Sequence, residues 1–393
     1  MTKKIAVFTG NRAEYGLLGP ILDAIASHDN LELQLVVGGA HLDPAFGRTR
    51  DEIVADGYEI AAEVPVDPML DTARAIGTGI IETTAVLERL RPAAAMVLGD
   101  RFETFAVVVA ASQSNIPMIH IEGGDKTEGG TLDDSVRHAM TKLSHIHLAT
   151  NGDSAKRIAA MGEEEWRIHD VGLPVLDRVR AGHFPAPEVV ASELGLDLER
   201  PVIIFTQHAI ATEPDQASRQ LAPSLVALER AISKHNAQVI ATYPNNDDGG
   251  RAIIQDLERW ASDKPDVILR QSLGRANYHG VLNLAGRVTN GACVGNSSSG
   301  LKETPAFGCP TLNIGARQTG RLAADNVLNV GYDAEEIFAA LTKCMTDADF
   351  RALAANCHNP YGDGKTGPRV ANLLASTDFD DVKLLQKKLT LDP

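Results

Sequence analysis

Charged side chains follow two apolar runs of the sequence, at the points where buried strands would end. Asp100 and Arg101 come soon after the run Ala93–Leu98, and Glu122 comes directly after Pro117–Ile121. A carboxylate at a strand end is expensive to bury without a purpose, so we favour a chemical role for Glu122 over a hinge loop with solvated acids. For Asp100, a helix cap and a functional carboxylate are equally consistent with its position.

Two further acids, Asp133 and Asp134, begin a predicted helix, and Arg137 lies one turn later. Acids at a helix start also suit the helix dipole without any function. Together with Asp100 and Glu122, however, they give four carboxylates near adjacent strand ends. General acid and base catalysis uses such sets, in which neighbouring groups push their pKa values apart.

Other residues after strands could bind an anion. A Ser/Gly turn at Gly295–Gly300 precedes a predicted helix, and such a turn offers N–H groups and hydroxyls to a diphosphate, although it can also simply cap the helix. Arg12 and Arg317 would supply positive charge. His208 could face the cleft as a donor or be an ordinary loop histidine, and Glu303 could accept hydrogen bonds from ribose hydroxyls.

The sequence predicts neither a metal nor a redox cofactor. His138, His145 and His147 lie near the acids, but they show no H-x-x-x-H spacing typical of a metal site. The chain also contains no G-x-G-x-x-G dinucleotide motif.

Short apolar runs alternate with helical stretches, which predicts an α/β protein with parallel sheets. The pattern restarts at Pro201–Thr206 after a proline-containing seam at Gly182–Glu199. We therefore predict two doubly wound, Rossmann-like domains with a cleft between them, residues 1–181 and 182–362. Ligands of such sheets bind beyond the carboxyl ends of the strands, where the charged residues lie.

Composition limits the partners. The chain has 393 residues and a formal net charge of -15, which argues against nucleic acid or an anionic membrane as a partner. An anionic ligand would therefore need a local positive pocket. The N-terminus lacks a signal peptide, and the four cysteines (Cys293, Cys309, Cys344 and Cys357) form no C-x-x-C pair, so we expect a cytoplasmic protein with free thiols. A homodimer or homotetramer is the default expectation.

Several motifs, taken together and in order, resemble the UDP-N-acetylglucosamine 2-epimerase family. They are GNRAEYGLL, LGDRFE, HIEGG, LDDSVRHAMTKLSH, TQHAIATE, YPNNDDGGR and GNSSSGLKETPAFGCPTLNIGARQTGR. The DDSVRH form is similar to the hydrolysing branch, which makes sialic and legionaminic acid precursors. The resemblance covers about residues 5–370 and is most specific in the last motif.

The resemblance implies a GT-B fold that binds UDP mainly through the C-terminal domain, with the C-terminal helices of residues 363–393 returning to the first domain. The implied reaction eliminates UDP to a 2-acetamidoglucal, which is hydrated to free N-acetylmannosamine. The resemblance places the catalytic carboxylates on Asp100, Glu122, Asp133 and Asp134, joined by Arg137 and His208. It implies that the substrate or nucleotide contacts Arg12, Ala13, His41, Arg101, Asn245, Asn296, Ser297, Ser298, Gly300, Glu303 and Arg317. The added charges of the loop Asp125–Gly130 leave open a UDP- or GDP-linked 2,4-diacetamido sugar as the substrate. A GT-B glycosyltransferase and a non-catalytic nucleotide-sugar binder are the alternatives from other classes.

Overall fold

The computed structural model describes residues 2–43, 49–67, 69–126, 132–210, 212–245 and 248–391, and for Leu132 only the backbone. These residues form two compact units. The first contains the chain up to Asp177 and again from Tyr361, and the second contains Arg178–Pro360. The segment Gly182–Glu199, predicted as a linker, contains a helix that packs in the core of the second unit through Val190.

The first unit is built on a parallel sheet, seven-stranded in the part of the chain described, with the order β3-β2-β1-β4-β5-β6-β7. Its strands are β1 (Lys3–Thr9), β2 (Leu31–Gly38), β3 (Ile60–Val64), β4 (Ala94–Leu98), β5 (Met118–Ile121), β6 (Ile146–Ala149) and β7 (Ile168–Asp170). The central strands β4, β5 and β6 are buried along their whole length, which explains their continuous apolar sequences.

Helices cover both faces of this sheet. They are α1 (Arg12–Ala26), α2 (Arg50–Ala55), α3 (Thr72–Leu90), α4 (Phe102–Gln113), α5 (Leu132–Leu143), α6 (Gly152–Ala160) and α7 (Val175–Arg180), the last of which spans the division between the units. The helix predicted from Leu70 begins at Thr72, because Asp71 caps it by accepting the Arg74 N–H at 3.0 Å.

The second unit repeats the plan with a parallel sheet of order β10-β9-β8-β11-β12-β13, six-stranded over the described residues. Its strands are β8 (Val202–Thr206), β9 (Gln238–Thr242), β10 (Val267–Arg270), β11 (Ala292–Gly295), β12 (Thr311–Ile314) and β13 (Val327–Val330). Its helices are α8 (Pro187–Leu194), α9 (Ala217–His235), α10 (Gly250–Ala261), α11 (Gly274–Arg287), α12 (Ser299–Lys302), α13 (Ala334–Thr346) and α14 (Ala348–Asn356).

The C-terminal segment completes the first unit with α15 (Thr366–Ser376) and α16 (Val382–Leu385). The Lys3 ammonium of β1 donates to the carbonyl oxygens of Ala375 and Thr377, both at 2.6 Å. Asp177 caps the start of α15 by accepting the N–H groups of Thr366 and Gly367 at 2.8 and 2.7 Å. The last helices are therefore part of the same core as the first strand.

Strand order reverses between β1 and β4 in the first unit and between β8 and β11 in the second. The loops beyond these paired strand ends diverge to opposite faces of the sheet and leave a crevice, the usual ligand site of doubly wound folds. The residues after these four strands are therefore the candidates for ligand contacts. Among the described residues, no helix is both long and apolar enough to cross a bilayer.

Candidate functional site

The first unit brings three of the predicted catalytic residues into contact. Arg137, on α5, is buried and donates hydrogen bonds to Asp100 after β4 and to Asp134 one turn earlier, the latter at 2.6 Å. The same guanidinium also donates to the Asp125 carbonyl oxygen at 2.9 Å. Arg137 therefore fixes two carboxylates at one edge of the sheet, as their positions in the sequence predict.

The two acids of this cluster differ in their surroundings. Burial raises the pKa of Asp100, and the nearby charge of Arg137 opposes this effect. Asp133 and Asp134 are close enough to Asp100 to raise its pKa further by charge repulsion. Asp133 itself is exposed at the start of α5. The cluster therefore contains a carboxyl group with a raised pKa beside other acids and a fixed guanidinium, an environment of the kind that general acid and base catalysis uses.

Glu122 directly follows β5 and is half-buried. Its backbone has φ of 65°, in the left-handed region that non-glycine residues rarely adopt. Such strain is concentrated at functional sites, because the surrounding structure must enforce it. Glu122 therefore keeps its place as a candidate, although it is less buried than the sequence predicts.

The loop after Glu122 differs from the open, mobile loop that its glycines predict. Gly123, Gly124 and Asp125 are buried. The Asp125 carboxylate faces inward and accepts a hydrogen bond from the Ser154 hydroxyl at 2.6 Å. Asp125 therefore anchors this loop to α6. Residues 127–130 of this loop lie outside the described residues.

Arg12 and Ala13 form the exposed first turn of α1, where Asn11 caps the helix by accepting the Glu14 N–H at 3.0 Å. The Arg12 guanidinium lies 3.1 Å from Glu52. His41, by contrast, is completely buried. Its two ring nitrogens contact the Thr9 and Thr49 hydroxyls at 3.0 and 2.7 Å, and burial lowers its pKa to about 4. His41 therefore joins the end of β1 to the segment that precedes α2.

In the second unit, His208 after β8 is held on both sides. Its backbone N–H donates to the Asn296 side chain at 2.7 Å, and that side chain returns a bond to the His208 carbonyl oxygen at 2.9 Å. The ring Nδ1 accepts the Asn245 N–H at 2.9 Å, so the proton of the neutral ring lies on Nε2. Burial, with a smaller effect of Arg317, lowers the His208 pKa to about 3, so the ring is a neutral donor at physiological pH.

Arg317, in the loop after β12, completes this group. It and Gln318 both donate to the Asn296 carbonyl oxygen, at 3.2 and 2.8 Å. Asn296, His208 and Arg317 are therefore coupled through direct bonds at the switch point between β8 and β11. The sequence pattern did not single out Gln318, whose buried amide links the two loops.

The helix after the Ser/Gly turn is shorter than the sequence pattern predicts. The pattern of Leu301–Phe307 predicts one helix, but the structure has the short α12 followed by a 3-10 turn at Thr304–Phe307. Ser298 precedes α12, whose second residue Gly300 is buried, and the Ser297 hydroxyl lies 3.0 Å from that of Ser299. Three hydroxyls and a short helical start thus lie beside His208's partner Asn296, a suitable environment for phosphate oxygens.

Glu303 ends α12 and accepts a hydrogen bond from the buried His279 at 2.7 Å. This bond orients the carboxylate, which is 18% exposed. The sequence analysis did not identify His279, since it lies on α11 without a motif.

Two acids at the switch point of the first unit, the buried Glu14 and the partly buried Glu103, were also missed. Glu14 and Glu103 lie beside Gly10 and Arg101, yet in the sequence each resembles an ordinary first-turn acid of its helix. Within the described residues, no three His, Cys, Asp or Glu side chains are close enough together to hold a metal ion.

Comparison with known proteins gives this geometry a context. A family model described as UDP-N-acetylglucosamine 2-epimerase matches residues 23–375. The UDP-N,N'-diacetylbacillosamine 2-epimerase (hydrolyzing) of Legionella pneumophila is 34% identical over 378 residues, 95% of this chain and 96% of that protein. A UDP-N-acetylglucosamine 2-epimerase of Neisseria meningitidis is also 34% identical, over 354 residues and 89% of each chain.

The fold comparison agrees. The crystal structure of UDP-GlcNAc 2-epimerase from Neisseria meningitidis bound to UDP-GlcNAc matches with a TM-score of 0.80 at 20% identity, covering 95% of this chain and 100% of that one. The two Rossmann-like units are thus those of a GT-B type fold, as predicted. With a family model spanning most of its length and two relatives above 30% identity, the chain belongs to the UDP-N-acetylglucosamine 2-epimerase family.

Proposed function

We propose that the protein is a hydrolysing 2-epimerase of a UDP-linked 2-acetamido sugar, which converts UDP-N-acetylglucosamine and water to UDP and free N-acetylmannosamine. The observation that carries the proposal is the Asp100–Arg137–Asp134 cluster, where burial raises the pKa of Asp100 beside two further acids. A mere binder of an anionic nucleotide gains nothing from half-buried carboxylates at its sugar site.

The reaction separates into two balanced steps. A carboxylate removes the C2 proton while the anomeric C–O bond breaks and its electron pair leaves with UDP. Water then adds across the resulting C1=C2 double bond, giving a hydroxyl at C1 and a hydrogen on the opposite face of C2. The carboxyl set of the first unit suits both proton transfers and the positive charge that develops at C1.

The residues of the second unit suit the leaving group. The neutral His208 ring offers an Nε2 donor, Arg317 offers positive charge, and Ser297 and Ser298 offer hydroxyls. Donors that are fixed before the reaction stabilise charge as it develops on a leaving diphosphate. Glu303, held by His279, is suited to the ribose.

A second substrate is favoured by one observation. The relative from Legionella pneumophila, named for UDP-N,N'-diacetylbacillosamine, matches over 95% of this chain at 34% identity, the same identity as the Neisseria meningitidis relative over 89%. A 2,4-diacetamido sugar differs from N-acetylglucosamine at C4 and C6, so the same elimination chemistry would apply.

A substrate panel in D₂O with NMR detection tests the proposal. We expect free 2-acetamido sugar with the manno configuration, deuterium at C2, and UDP, without any acceptor. A UDP-linked epimer as the only product would assign the non-hydrolysing reaction, and a requirement for an acceptor would assign a glycosyltransferase. Comparing the kcat/KM of the UDP- and GDP-linked N-acetylglucosamine and diacetamido sugars decides the substrate.

The Glu122→Gln variant provides the residue-level test. It should lose turnover by about 10²-fold or more, as expected for the loss of one acid or base, while UDP still binds with nearly the affinity of the wild type. Near-normal turnover would remove Glu122 from the chemistry. Glu63→Gln, at an exposed position of β3, is the control that should leave both quantities unchanged.

A further inference from the structure

One buried histidine contacts the segments that carry the proposed carboxylates of the first unit. His120, on β5, is 0% exposed and lies two residues before Glu122. Its Nε2 lies 2.7 Å from the Gly99 carbonyl oxygen, after β4, and its Nδ1 lies 3.2 Å from the Thr141 hydroxyl of α5. The ring therefore joins the carboxyl ends of β4 and β5 to helix α5.

The contact with Gly99 fixes the backbone immediately before Asp100. A carbonyl oxygen can only accept, so the His120 Nε2 must carry the proton of this hydrogen bond. The Gly99 N–H in turn donates to the Ile121 carbonyl oxygen at 3.1 Å. Gly99 is thus held at both its N–H and its carbonyl oxygen by neighbouring residues of β5, while its φ of 81° turns the chain at this point.

The contact with Thr141 reaches the helix turn that carries the guanidinium. Thr141 lies one turn after Arg137 on α5, and its hydroxyl donates to the Arg137 carbonyl oxygen at 3.0 Å. The same hydroxyl lies against His120 Nδ1, so the ring supports the turn of α5 from which Arg137 binds its two carboxylates.

The glycine after Glu122 makes room for this arrangement. A Cβ built on Gly123 would lie 3.0 Å from the Thr141 hydroxyl oxygen and 3.1 Å from His120 Nδ1. A side chain at this position would therefore press on both the ring and the hydroxyl. The left-handed backbone of Glu122 is flanked by His120 on one side and by this glycine on the other, and its N–H donates to the Leu148 carbonyl oxygen at 3.2 Å.

We infer that His120 is a positioning residue that holds the proposed catalytic carboxylates Asp100 and Glu122 in place for proton transfer. The ring acts through its neighbours, because it is completely buried. Burial lowers the pKa of His120 to about 3, and the bond to Gly99 opposes this effect, so the ring is neutral at physiological pH. Its effect on turnover rests on the proposed function, whereas its hydrogen bonds do not.

The two ring nitrogens can be tested separately, because amide side chains reproduce one each. The amide nitrogen of Gln reaches the Nε2 position, so His120→Gln keeps a donor for the Gly99 carbonyl oxygen. Asn reaches only the Nδ1 position, so His120→Asn loses that bond. A displacement of about 1 Å at a reacting group can lower turnover by about 10²-fold.

We expect the kcat of UDP release from UDP-N-acetylglucosamine to fall by about 10²-fold in His120→Asn and to stay near the wild-type value in His120→Gln. The Kd for UDP should be unchanged in both variants, since the proposed nucleotide contacts lie mainly on the second unit. Thr141→Val removes the hydroxyl and nearly keeps the side-chain shape. It should lower kcat by about fivefold, the value of one hydrogen bond.

Gln34→Met is the matched control. The Gln34 amide, 6% exposed on β2, donates to the Leu90 carbonyl oxygen at 3.3 Å, before β4 begins and at the end of that strand opposite to Asp100. This variant loses a buried bond to a carbonyl oxygen, as His120→Asn does. Its urea unfolding midpoint should therefore fall to a similar extent, while kcat and the Kd for UDP stay unchanged.

The bond to Gly99 is tested without substrate by nitrogen-15 NMR of the full chain labelled at its histidine rings. The His120 signals, identified by their absence from His120→Gln, should show the Nε2–H tautomer from pH 5 to 8. An Nδ1–H tautomer, or exchange between the two tautomers, would mean that the ring does not hold Gly99 and would overturn the inference.

Four results with the variants would overturn the positioning role. They are an unchanged kcat in His120→Asn, an equal loss of kcat in His120→Gln, an equal loss in Gln34→Met, and a Kd for UDP that weakens in proportion to kcat. If His120→Asn does not fold, an unchanged kcat in Thr141→Val has the same meaning. If the wild type converts no sugar of the panel, the proposed function fails and the positioning role fails with it, while the NMR spectrum still decides the bond to Gly99.

Discussion

Replacing Glu163 with Gln should weaken the attachment of the C-terminal segment to the first unit. Glu163 is completely buried and lies between three donors. Lys142 and His147 contact it at 2.5 and 2.9 Å, and Lys387, from the segment after α16, contacts it at 2.7 Å. Removing the charge leaves two lysines without their acidic partner. One of them, Lys387, is mostly buried and keeps only hydrogen bonds to carbonyl oxygens, such as those of Lys142 and Ser144 at 2.7 and 2.6 Å.

The magnitude follows from the acid–base equilibrium. Burial alone would raise the pKa of Glu163, but hydrogen bonds from His147, Lys142 and Lys387 outweigh it and lower the pKa from 4.5 to about 2. That difference corresponds to roughly 3 kcal/mol of folding free energy at about 1.4 kcal/mol per pH unit. Because the folded-state pKa is depressed, this stabilisation is present above pH 4.5 and is lost as the pH falls towards 2.

Hydrogen exchange measured by mass spectrometry on a peptide covering residues 379–391 is the assay. At pH 7 the amides of this peptide should exchange up to about 100-fold faster in the variant than in the wild type. The upper limit applies if the whole loss of folding free energy lowers the free energy of local opening of this segment. The difference from the wild type should shrink at pH 3. Glu32→Gln removes a lysine contact at 3.8 Å on the surface of the same unit and should change exchange by less than about fivefold.

A small change in Glu163→Gln at pH 7, equal to that of the control, would refute the reasoning. So would a change of the same size at pH 3 and pH 7, because below pH 4.5 the unfolded state binds a proton that the folded state does not, and the contribution of the ionised Glu163 must therefore fall.

Two more predictions concern the second unit. Gly295→Ala should prevent stable folding or lower the free energy of unfolding by more than about 3 kcal/mol, because Gly295 has φ of 129° and a Cβ would overlap the Thr206 carbonyl oxygen. Urea unfolding of the purified variant measures this loss, and a near-normal unfolding midpoint would contradict the prediction. His208→Ala should weaken UDP binding, measured by titration calorimetry, about 10-fold or more at every pH from 5 to 9, since a ring with a pKa of about 3 is neutral throughout this range. A wild-type affinity for UDP that changes with pH around an imidazole pKa near 6.5 would contradict this prediction.

The sequence by itself determined the buried central strands and their order along the chain. Buried parallel strands such as β4 and β5 are continuous apolar runs because both faces are covered by helices, so their ends lie within a residue or two of the predicted positions. The sequence pattern missed three strands, β3, β7 and β13. They lie at or near the sheet edges or carry few apolar residues, so they lack a continuous apolar run. The charged residues after the central strands were found for the same reason, since strand ends fix their position.

Tertiary structure alone decided how those side chains are used. Asp125 and Glu122 lie in one charged, glycine-rich loop, yet the fold turns Asp125 into the core against Ser154 and holds Glu122 in a strained turn. Glu14 resembles a first-turn helix acid in the sequence, but in the folded chain burial, with a smaller effect of the Glu103 charge, raises its pKa to about 7. Burial and charge proximity are properties of contacts between distant residues, so local sequence patterns cannot express them.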